Sequence, residues 1–116
     1  MPPLFAWFDL KEVDAFADTL STLVVKQFPV SEITDPKRKG QARWDRVHKA
    51  IFQQAEAFAA THSLNLYKKA RLGNRFKWSL LEAGYPAEFV DSVSYELVRF
   101  VALPPAERKR VLAQTR

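Results

Sequence analysis

The stretch NLYKKARLGNRFKWSLLEAG, residues 65–84, decides how this chain folds. Advanced by about 100° per residue, Leu66, Leu72, Gly73, Phe76, Leu80 and Ala83 share one apolar arc, and Tyr67, Ala70, Trp78 and Leu81 occupy the side beyond it. The pattern predicts a helix over 65–83 that stops at Gly84, a residue type suited to the left-handed turn after a helix. Such wide apolar coverage predicts a central helix in a bundle, with Phe76 and Trp78 in the core. The remaining strip holds Lys68, Arg71 and Arg75. Gly73-Asn74 also allows a helix-turn-helix with Arg75 to Ala83 as the recognition helix. Gly73, however, lies three positions after Ala70 where that motif uses four. The preferred reading is a continuous helix in which Gly73 admits a neighbouring backbone.

Working outward, three further amphipathic segments accompany it. Residues 9–28 begin with Asp9, followed three positions later by Glu12, and Phe8 and Val13 stand where a hydrophobic staple closes. Leu10, Val13, Phe16, Ala17, Leu20, Leu23, Val24 and Phe28 form the apolar face, and Pro29 ends the helix. Lys11, Asp14 and Asp18 lie opposite, and the two aspartates read as a solvated face. Residues 41–63 place Trp44, Val47, His48, Ile51, Ala55, Phe58, Ala59 and His62 on one stripe. Residues 86–103 open on Pro86 and bury Phe89, Val90, Val93, Leu97, Phe100 and Val101. A short helix over 105–114 follows Pro104-Pro105, with Val111 and Leu112 docked and Arg108, Lys109 and Arg110 in water. The fold class is therefore all-α: four main helices and a short C-terminal one in a single domain, with an aromatic arm over 1–8 and a basic loop over 29–40.

Composition narrows the chemistry. Cysteine is absent, so neither disulfides nor thiolate metal sites exist, which fits a reducing, cytoplasmic setting. No apolar run approaches the ~20 residues of a membrane span, and the opening residues lack the pattern of a signal peptide. Three glycines, at positions 40, 73 and 84, make no phosphate cradle. His48 and His62 are about 21 Å apart along one helix and match no metal-binding spacing. No catalytic residue, metal or cofactor is expected, and the chain reads as non-catalytic.

Charge is the one uneven feature. Residues 36–77 hold eleven of the eighteen basic residues against two acidic ones, whereas residues 1–35 carry a net −4 and 78–116 are neutral. Lys37, Arg38, Lys39, Arg43, Arg46, Lys68, Arg71, Arg75 and Lys77 are the candidate contacts for nucleic acid or another polyanion, with nearby aromatics as stacking platforms. If consecutive helices pack as antiparallel neighbours, Arg43 and Arg46 approach Arg75 and Lys77 on one surface. Tyr95, Val98 and Ala102 form an apolar patch on the helix over 86–103 and are the candidate protein interface. The leading expectation is a protein-interaction or self-assembly module; the alternative is nucleic-acid binding through residues 37–77.

Overall fold

The computed structural model describes residues 10–33 and 40–114, and these contain six helices: α1 (Lys11–Gln27), α2 (Val30–Ile33), α3 (Gly40–Thr61), α4 (Leu66–Glu82), α5 (Ala87–Ala102) and α6 (Pro105–Gln114). The all-α bundle is as the periodicity predicts, with boundaries within two residues for the main helices. Residues 1–9 lie outside the description, and with them the aromatic arm and Asp9. The 29–40 segment is only partly a loop, because Val30–Ile33 form one helical turn whose Val30 and Ile33 pack against the core.

Local chemistry explains where the helices start and stop. Asn65 caps α4 by accepting the Lys68 N–H on its side-chain oxygen at 2.8 Å. At the other end Gly84 takes φ +98°, the Gly84 N–H donates to Leu81 O at 3.0 Å, and the Tyr85 N–H donates to Leu80 O at 3.2 Å. This is the paired hydrogen bonding of a Schellman turn, with its accompanying apolar contact supplied by the buried side chains Leu80 and Tyr85. The Tyr85 hydroxyl then donates to Phe28 O at 2.7 Å and Val24 O at 3.3 Å, joining the end of α4 to the end of α1. Burial raises the pKa of that phenol.

The four long helices close a ring in the order α1, α4, α5, α3, and α6 lies against α3. Residue pairs give their directions. Asp14 meets Arg71 and Asp18 meets Arg75, so α1 and α4 run parallel. Gly73 faces Ser94 and Val98 while Lys77 meets Asp91, so α4 and α5 are antiparallel. Trp44 packs on Phe89, and Phe52 on Phe100, so α5 and α3 are parallel. Phe16 stacks on Phe58 and Phe28 packs on Trp44, making α3 and α1 antiparallel. Two helical hairpins, α1–α3 and α4–α5, thus lie side by side, and residues 62–65 carry the chain across the diagonal. Consecutive helices α3 and α4 are not packed neighbours, so the antiparallel α3–α4 pairing that would join the two basic clusters does not form.

Leu20, Val24, Ile51, Leu72, Phe76, Leu80, Val90, Val93 and Leu97 fill the centre. Phe76 is fully buried, as predicted. Trp78 is 56% exposed, and Leu66, assigned to the apolar arc, is 84% exposed. A ring of four leaves each helix two neighbours, so α4 is not central and its surplus apolar residues face outward. Arg108 corrects the sequence reading in the other direction: it is 5% exposed, its guanidinium pairs with Glu56, and Nη1 donates to Leu103 O at 2.7 Å. Val111, expected to dock, is 39% exposed.

Candidate interaction surface

Helix α4 presents two chemically different flanks, one toward α1 and one toward α5. On the α1 side Arg71 donates from Nε to Asp14 Oδ1 at 2.8 Å and from Nη2 to Asp14 Oδ2 at 3.1 Å. One turn later Arg75 repeats the arrangement on Asp18 at 2.9 and 3.0 Å, and its Nη1 stands 3.7 Å from Asp14 Oδ2. Two-pronged pairing of this kind matches the planar guanidinium to the planar carboxylate. The hydrogen bond from Arg71, followed by the positive charges of Arg71 and Arg75, holds the Asp14 carboxyl below the usual carboxylate range against the opposing effect of partial burial. The same bonds raise the already high values of Arg71 and Arg75. Asp14 and Asp18, expected to be solvated, are therefore structural anchors for the parallel α1–α4 pair.

A depressed folded-state pKa stabilises the fold above the unfolded value, near 4, and that stabilisation is lost as pH falls through the lower folded value. At neutral pH Asp14→Asn is expected to cost about 0.5–1 kcal/mol, because the pair is partly exposed. The difference from wild type should close on acidification below the normal carboxylate range. Urea unfolding at a series of pH values measures it, and a gap that widens toward acid would contradict the assignment.

The other positive candidates divide. Arg43 Nη1 lies 3.5 Å from Glu32 Oε2, and Lys77 Nζ lies 3.3 Å from Asp91 Oδ1. Arg46 is exposed and Lys68 is half-buried, and neither has an ion-pair partner among the described residues. Lys37, Arg38 and Lys39 lie outside the described residues. His48 and His62 are half-buried, 3.4 Å from Glu96 and 3.6 Å from Glu12, and pack on Phe52 and Phe58. Among the described residues no three His, Asp or Glu side chains gather into a metal-holding group.

On the α5 side lies a shallow trough. Its walls are Ala70, Gly73 and Asn74 of α4 and Ser94, Tyr95 and Val98 of α5. The Val98 side chain lies over Gly73: a Cβ there would overlap the Val98 Cγ2 methyl, whereas the nearest backbone atom, Ser94 O, would be 3.9 Å away. Gly73 thus admits a neighbouring side chain rather than the backbone expected of it, and α4 runs unbroken through this position. The contact changes the place of Val98, which is half-buried against Gly73, whereas Tyr95 is 65% exposed and Ala102 is exposed. Ser94 Oγ is buried in the trough floor with no hydrogen-bond partner among the described residues. Tyr67 and Trp78 are exposed on the outer side of α4. Trp78 was the residue the sequence reading misplaced. Its signal lies in the wheel itself, since at about 100° per residue Trp78 stands roughly 200° from both Phe76 and Leu80, opposite the buried arc.

Comparison with protein-family models, with curated proteins and with solved structures finds no match.

Proposed function

We propose that the chain is a non-catalytic interaction module that associates with a second copy of itself through the outer face of the α4–α5 hairpin. The observation that carries this reading is the exposure of two large aromatics, Trp78 and Tyr95, beside three matched charge pairs. Arg71, Arg75 and Lys77 are each paired with Asp14, Asp18 or Asp91. Desolvating a matched face costs less than desolvating lone charges, and Trp, Tyr and Arg dominate the energetics of protein contacts. The same face holds both protruding rings and a recessed trough, the self-complementarity that a two-fold contact requires.

Polyanion binding is the less favoured reading, because internal pairing takes up Arg43, Arg71, Arg75 and Lys77, so that of the described candidate contacts only Arg46 and Lys68 remain, on diagonal helices. Sedimentation velocity over a wide concentration range should show reversible dimerisation that Trp78→Ala and Tyr95→Ala each weaken by about tenfold or more. A protein that stays monomeric throughout, yet binds single-stranded RNA with a steep salt dependence, would overturn the proposal in favour of the polyanion reading.

A further inference from the structure

A second concavity lies on the opposite side of α5, where α3, α5 and α6 meet, and its chemistry differs from that of the trough. Its volume is about 210 Å³, room for roughly seven water-sized groups at about 30 Å³ each. Phe52, Phe100, Leu103 and Leu112 supply the apolar part of the lining. The two rings meet edge to face with centroids 5.1 Å apart, and both residues are buried.

The polar lining comes from the two helices that flank those rings. Lys49 follows His48 on α3, and Arg99 precedes Phe100 on α5. Glu96 is the one carboxylate in the lining, and it stands 3.4 Å from His48 Nε2. Neither Lys49 nor Arg99 has an anionic partner among the described residues. The Arg99 guanidinium rests 5.8 Å from the centre of the Tyr95 ring, which orients the group without neutralising it. Two cations against one carboxylate leave the lining with one surplus positive charge. An apolar pocket bordered by a small number of charged groups is the usual form of a site for a small amphipathic ligand.

We infer that this groove binds an amphipathic monocarboxylate, a medium-chain or aryl acid whose apolar end lies against Phe52, Phe100 and Leu112 and whose carboxylate lies between Lys49 and Arg99. The single surplus positive charge favours a monoanion, and the apolar lining favours a carboxylate carrying an alkyl or aryl body. Charge-assisted hydrogen bonds from two cations orient the acid, and burial of its apolar end provides most of the affinity. The inference does not require self-association, since the groove's lining includes neither Trp78 nor Tyr95, and Tyr95 touches it only through Arg99.

Sodium octanoate is the probe. In a 1H–15N titration of the full chain, octanoate should produce saturable shifts centred on the amides of Phe52, Phe100 and Leu112, while methyl octanoate and octylammonium should each bind about tenfold more weakly or worse. The Lys49→Ala/Arg99→Ala variant should weaken octanoate by about tenfold or more, and Leu112→Trp, which fills the groove, should abolish the shifts. Equal responses to octanoate and octylammonium would overturn the inference. So would non-saturating shifts spread over the surface, or undiminished octanoate binding in the double variant. The comparison of the three probes on the wild-type chain stands even if a variant does not fold.

Discussion

Glu56→Ala is expected to be the most damaging single change among those considered, with a cost of up to about 3–5 kcal/mol, the range for stranding one member of a buried ion pair. The Arg108 and Glu56 side chains are only 6% and 14% exposed. Arg108 also fixes the start of α6 through Leu103 O. Removing the carboxylate leaves a largely buried guanidinium with Leu103 O as its remaining hydrogen-bond acceptor among the described residues. The chain has one escape, which is to release α6 so that Arg108 reaches solvent, and the free energy of docking α6 therefore caps the measured loss. A lowered urea midpoint together with faster amide exchange through Pro105–Gln114 is the expected result. Replacing both partners by apolar residues of similar size, Glu56→Leu with Arg108→Met, should recover most of the stability, because the desolvation of two charges is removed with their attraction. A Glu56→Ala protein as stable as wild type, with α6 equally protected, would show that the pair contributes nothing.

Gly73→Ala should cost about 1–3 kcal/mol, the range for overpacking a closely fitted contact. In an exposed helix the same change would be favourable by roughly 0.5–1 kcal/mol, since alanine is the better helix former. The sign reverses here because the new methyl would meet Val98 Cγ2, and Val98 is β-branched, with little rotamer freedom in a helix to move aside. Gly73→Ala combined with Val98→Ala restores the space and should recover much of the loss. The pair forms a double-mutant cycle in which non-additivity is the diagnostic. Additive losses would place the strain elsewhere.

The individual helices were legible because their signals are local. Pro29, Gly84, Pro86 and Pro104 mark ends, and apolar spacing marks faces, both within a few residues of chain. Neighbour relations were not legible, because a helical wheel shows which face is buried and not what buries it. Asp14 and Arg71 are 57 positions apart, and nothing near either residue indicates the other. The diagonal placement of α3 and α4 depends on how the four-residue crossing at 62–65 runs, which periodicity does not encode. Arg108 was misread for a related reason, since a long cationic side chain is buried only when a partner such as Glu56 is present on another helix. Trp78 shows the opposite limit: a large apolar residue at helical spacing is core only if a neighbour covers it, and a ring of four leaves that side of α4 open.

The double Asp–Arg ladder has a consequence for how the two hairpins find their alignment. Apolar helix faces repeat every three to four residues, so α4 slid by one turn along α1 would still present leucine, valine and phenylalanine to one another at similar spacing. Charge does not repeat in the same way. A slip of one turn either leaves a single pair and strands one arginine and one aspartate, or strands Arg75 and gives Asp14 the single-point ammonium of Lys68 in place of a two-pronged guanidinium. The ladder therefore works as a vernier: an interaction that contributes little to net stability can still distinguish one sliding position from the next and fix the setting at which the Tyr85 hydroxyl meets Phe28 O.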